Sequence, residues 1–110
     1  MSSTDAIVVL VAVGSLDEGR AIAEALVAER LAACVNLIGP IRSIYRWQDE
    51  VHDDAEHLLI IKTRRGRFDA LERRVVGLHS YDVPEVVALP VTAGSAAYLG
   101  WLTAETSDSQ

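Results

Sequence analysis

From Ala6 to Val13 the chain reads AIVVLVAV, eight residues without one polar side chain. Side chains of a strand alternate between the two faces of its sheet, so a strand that is apolar throughout asks for cover on both. Leu58 to Ile61 (LLII) repeats that demand. A chain of 110 residues supports one hydrophobic core. Its own helices can cover one sheet face, and the second face needs another source of cover. Half of the residues are hydrophobic, a rich share for a domain this small. Association with further subunits is the expected solution.

The remaining pattern supplies the helices. Gly14 breaks the first strand, and Ser15-Leu16-Asp17-Glu18 has the form of a capping box, in which serine and glutamate reciprocally satisfy free amides at a helix start. Ile22, Ala25, Leu26 and Ala33 fall on one helical face, which predicts a helix ending near Ala33 and packing on the sheet. Cys34 to Trp47 reads as a strand bent or bulged at Gly39-Pro40. The polar segment from Gln48 to Ala55 reads as a turn, after which Leu58 to Ile61 resumes as a strand buried on both faces. Phe68, Leu71, Val75 and Leu78 predict a second helix within Arg65 to His79. Val83-Pro84 enforces an extended chain, Glu85 to Thr92 alternates as a strand, and a short helix runs from Ser95 to about Thr103. Thr106 to Gln110 reads as a polar tail.

Strand, helix, strand, strand, helix, strand, with right-handed crossovers, makes an α+β fold: a ferredoxin-like βαββαβ sandwich with an antiparallel sheet and an extra C-terminal helix. One domain is expected over residues 1–110, with an ordered core at about 6–104.

Ten basic and sixteen acidic residues leave a formal charge of −6, which opposes general attraction to nucleic acid or anionic membranes. Cys34 is the sole cysteine, so no disulfide can form within the chain, and a reducing cytoplasm is the expected compartment. The run Ala6 to Val13 lacks the basic start of a signal peptide and is too short to span a membrane.

RLAACVN (Arg30 to Asn36), SIYRW (Ser43 to Trp47), HLLIIKT (His57 to Thr63), HSYDVPEVVALPV (His79 to Val91) and YLGWL (Tyr98 to Leu102) together resemble the CutA family of divalent-cation tolerance proteins. The resemblance runs from about Ile7 to Leu102. It implies a small ferredoxin-like homotrimer, related in architecture to PII signalling proteins and associated with tolerance of copper and other divalent metals. Two positions depart from the family pattern: Asp49 stands where glycine is usual after the tryptophan, and Ser80 where proline is usual after the histidine. Some members carry further cysteines proposed as copper ligands; a multi-thiolate site within one subunit is excluded here.

Cys34 has two readings, a small buried apolar residue or a soft metal ligand, with His79 as the candidate partner and copper or another divalent cation as the ion. No cofactor is otherwise required. The segment HDDAEH, His52 to His57, reads as a solvated acidic hairpin, because its histidines stand five apart and a strand would point them to opposite faces. Lys62, Arg64, Arg65, Arg67, Arg73 and Arg74 form a basic neighbourhood that suits a small anion in a PII-like sensor. His79 to Pro84 is a corner, where His79 can meet helix-terminal carbonyls. With the family resemblance, Tyr45, Trp47, Lys62, Tyr81, Glu85 and Trp101 are candidates for a ligand or interface cleft. Catalysis is not expected: an acylphosphatase-like hydrolase would need a phosphate-cradling loop with arginine, and Val13-Gly14-Ser15-Leu16-Asp17 stands in its place.

Overall fold

The computed structural model describes residues 4–107. Residues 1–3 and 108–110, the ends of the expected domain and tail, lie outside the described residues. The elements are β1 (Ala6–Val13), α1 (Leu16–Ala28), β2 (Cys34–Trp47), β3 (Glu50–Arg64), α2 (Phe68–Leu78), β4 (Val87–Pro90) and α3 (Ala96–Glu105), with a 3₁₀ turn at Arg65–Arg67 leading into α2. The strands form one antiparallel sheet in the order β2-β3-β1-β4.

Alternation along β1 sorts the sheet into two faces. Ile7, Val9, Val11 and Val13 join Leu59 and Ile61 of β3 beneath Ile22 and Leu26 of α1 and Leu71 and Val75 of α2. Each fully buried aliphatic chain of this kind contributes about 1.5–3 kcal/mol, which makes this cluster the main source of cohesion. The opposite face carries Val8, Leu10, Leu58 and Ile60, which are only half-buried, and Ile38, Val87 and Leu89, which are exposed. α3 shields one end of it, where Ala6, Ala33 and Leu102 pack with Leu99 and Val91. LLII is thus fully buried on one face alone.

Several boundaries differ from the sequence expectation. α1 stops at Ala28, five residues before Ala33, because Arg30 turns to a φ of 60° and the chain closes the helix with bonds from Arg30 N–H to Val27 O and from Leu31 N–H to Leu26 O. This is a Schellman arrangement with arginine in the position glycine usually takes. The capping box forms only in part: Glu18 N–H donates to Ser15 Oγ at 3.1 Å, but the Glu18 carboxylate turns away to Ser80, accepting from its N–H at 2.7 Å and its hydroxyl at 3.1 Å. Ser80 thereby uses an amide that a proline at this position would lack.

The supposed turn from Gln48 to Ala55 shrinks to Gln48 and Asp49, with φ of 51° and 66°, while Glu50 onward is already β3. Two residues with positive φ match the tight hairpin turn whose twist suits paired strands. The register slips between Ile38 and Ile41, at the expected Gly39-Pro40 bulge. β4 is confined to Val87–Pro90, shorter than the expected run from Glu85 to Thr92. α2 buries Leu71 and Val75 but leaves Leu78 exposed. Thr106 is no part of a tail: it is fully buried and its carbonyl accepts from Arg64 Nη2 at 2.9 Å.

Candidate functional site

Beyond Val13, the last β1 residue paired with β3, the β2–β3 hairpin continues as a two-stranded arm. The corner between α2 and β4 lies against the base of this arm. Together they enclose a cleft of about 690 Å³ whose walls include Tyr45, Trp47, Glu56, Tyr81, Asp82 and Glu85. Four of the sequence candidates, Tyr45, Trp47, Tyr81 and Glu85, are therefore brought together.

Tyr81 reaches across the cleft. Its hydroxyl donates to Glu56 Oε2 at 2.7 Å and its ring lies 4.6 Å, centroid to centroid, from that of His79. Desolvation, followed by the bond to Glu56, raises the Tyr81 phenol well above its ordinary pKa. Tyr45 donates to Asp54 and stacks on His52, and the Asp54 bond is the leading cause of its raised pKa. Glu56 corrects the reading of HDDAEH as solvated: only 7% of this residue is exposed. Strand alternation would have found it, since Glu56 shares a face with Leu58 and Ile60 once β3 is extended back through its polar half.

His79 sits at the end of α2 with its side chain fully buried. Its ring does not turn to the helix carbonyls. Nε2 lies 2.7 Å from Ala12 O, and Nδ1 accepts from Tyr81 N–H at 3.1 Å, which assigns the proton to Nε2 as donor. Both nitrogens are engaged within the chain, and the ring fastens the corner to β1.

Cys34 lies elsewhere. It is half-buried on the open sheet face, paired in register with Lys62, which pairs in turn with Val8. Val8 and Ala12, the strand positions that mark Cys34 and His79, are four residues and so about 13 Å apart along an extended chain. The structure does not join the two residues of one chain. Around Cys34 stand Asn36, whose Oδ1 lies 3.9 Å from Sγ and accepts from Lys62 Nζ, and Tyr98, whose pKa is raised by desolvation and then electrostatically by Cys34. Trp101 packs with Tyr98 on α3 at 5.5 Å, so Lys62 and Trp101 belong to this region and not to the cleft. Among the described residues no three His, Cys, Asp or Glu side chains gather as a metal-holding group. One chain alone does not fit a chelating site.

The basic neighbourhood is mostly consumed internally. Arg64 binds Thr106, Arg67 donates to Arg30 O, and Arg74 grips Glu29 through bonds of 2.8 to 3.1 Å. No described helix is long and apolar enough to cross a membrane.

Comparison with known proteins places this architecture. The family model described as CutA1 divalent ion tolerance protein matches residues 7–105. The divalent-cation tolerance protein CutA of Thermus thermophilus is 54% identical over 99 residues, covering 90% of this chain and 96% of the relative. The chloroplastic protein CutA 1 of Oryza sativa subsp. japonica is 46% identical, covering 98% of this chain and 61% of the relative. Among solved structures, the divalent cation tolerance protein from Thermus thermophilus superimposes with a TM-score of 0.91 at 52% identity, covering 93% of this chain and 99% of that one. The periplasmic divalent cation tolerance protein CutA from Archaeoglobus fulgidus superimposes with a TM-score of 0.90 at 31% identity, covering 93% and 99%. The match extends from β1 through α3 at identities well above those that indicate fold alone, and the chain belongs to the CutA1 divalent ion tolerance family.

Proposed function

We propose that this chain is a homotrimeric metal-tolerance protein on the ferredoxin-like plan, working in the cytoplasm and acting by binding copper or another divalent cation, with no catalytic step. The observation that carries the reading is the incomplete cover of the second sheet face. Ile38, Val87 and Leu89 are about half exposed there, as are Tyr98 and Trp101 of α3. An apolar surface of this kind favours burial against other subunits.

Cys34 lies on that same face, so a threefold assembly would repeat the thiol three times. Thiolate is the soft ligand that suits cuprous ion or zinc. Its companions would come from neighbouring subunits, since His79 spends both ring nitrogens within its own chain. The names of the relatives support divalent-cation tolerance; their compartments vary, and cytoplasm rests here on the single cysteine.

A PII-like sensor of small anions loses support from the internal pairing of Arg64, Arg67 and Arg74 and from the carboxylates of the cleft. An acylphosphatase-like enzyme loses it in the loop after β1, where Gly14-Ser15-Leu16-Asp17 supplies a carboxylate and no arginine.

Native mass spectrometry during copper(I), zinc and ATP titration tests the reading, paired with competition against a copper(I) chelator. The trimer is expected to take up metal and no ATP. Cys34→Ser, still trimeric, should lose at least roughly tenfold in copper(I) affinity, because a hydroxyl is a harder and normally protonated ligand. Unchanged copper binding in Cys34→Ser would assign the thiol to packing alone.

A further inference from the structure

Glu56 lines the cleft with more than nine-tenths of its surface buried. A buried carboxylate is costly to hold unless it is paired with charge and fully hydrogen-bonded. Glu56 Oε2 accepts one bond, from the Tyr81 hydroxyl, while Oε1, which is not sealed from solvent, takes no bond and pairs with no cationic side chain among the described residues. Among the described residues Arg42 is the one cation that lines the cleft, and Asp53 holds it at 2.8 Å.

The surrounding chemistry is of one kind. Tyr45 and Trp47, 41% and 43% exposed, supply aromatic faces that attract cations through the ring quadrupole. Asp82 and Glu85 add carboxylates to the walls. The volume, about 690 Å³, falls within the range of small-molecule sites. A bare divalent ion would want several oxygen ligands converging on one point, and no such gathering exists among the described residues. A group that brings its own N–H donors, a positive charge and an aliphatic body answers each feature.

We propose that this cleft is a binding site for a small aliphatic amine, whose primary ammonium donates to Glu56 Oε1 beside the rings of Tyr45 and Trp47, and whose second ammonium, in a diamine, meets Asp82 and Glu85. This site is separate from Cys34 and does not depend on the metal reading.

Isothermal titration of the purified full chain with putrescine at low ionic strength tests it, with n-butanol as the uncharged control. Saturable binding of putrescine and none of n-butanol is expected. Glu56→Gln keeps an oxygen for the Tyr81 bond while removing the charge, and should weaken putrescine at least roughly tenfold, the scale of one charge-assisted hydrogen bond. Trp47→Leu should weaken it several-fold through the lost ring face, which gives a second reading should Glu56→Gln unfold. Glu24→Gln, on the exposed side of α1, should bind as the parent does. Absence of putrescine binding, equal binding of n-butanol, parent-like affinity in folded Glu56→Gln and in Trp47→Leu, or an equal loss in Glu24→Gln would each overturn the proposal.

Discussion

Tyr81 illustrates how one side chain ties the candidate site to stability. Its backbone N–H fixes the His79 tautomer and its hydroxyl gives Glu56 the only bond that carboxylate receives among the described residues. The phenol is raised in the folded chain, chiefly by desolvation and then by the bond to Glu56. Below a pH of about 10, the ordinary phenol value, the group is protonated folded and unfolded, and its contribution is complete. As pH climbs past that value the unfolded chain ionises first, and the contribution is lost on the way to the folded pKa. Urea denaturation at rising alkaline pH should therefore show falling stability, with a shallower fall in Tyr81→Phe. Tyr45 and Tyr98, shifted in the same direction, will sustain part of the decline in the variant. At neutral pH Tyr81→Phe should cost about 1–3 kcal/mol, because it strips a buried carboxylate of its partner. Parallel alkaline profiles for parent and variant would count against this bond. Glu56 itself was not legible as a site residue: its segment is so polar that composition reads as solvent-facing, and only strand alternation carried from Leu58 exposes its position.

At the scale of elements, β1 and β2 were legible to the residue because unbroken apolar character and the Gly39-Pro40 bulge are strong local signals. The end of α1 was not, since Arg30 adopts a left-handed turn that glycine would have announced. The early half of β3 was hidden for another reason: the hairpin arm outruns β1, so its residues lack a core to impose alternation. Gly39 holds that arm close to the sheet. A Cβ there would approach within 2.7 Å of His57 Cγ and 3.1 Å of His57 Cα, a space that a slight shift of a flexible tip cannot clear. Gly39→Ala is thus expected to destabilise the fold by about 1–3 kcal/mol, the usual cost of forced overpacking. Thermal and urea unfolding check this, and a parent-like midpoint would mean the bulge relaxes freely.

The whole molecule returns to the strand that is apolar on both faces. Its inner face is sealed by α1 and α2, while the outer face, apart from the end under α3, is left half-covered. Composition alone registered this need for cover, but which strands and helices would border the gap required the order β2-β3-β1-β4. The CutA1 family and an α+β fold with one four-stranded antiparallel sheet agree with the sequence reading; the trimer is the proposal that joins them. Sedimentation equilibrium at micromolar concentration tests it most directly. A single species of three times the 11.9 kDa chain mass is expected, and a stable monomer under those conditions would contradict the trimer.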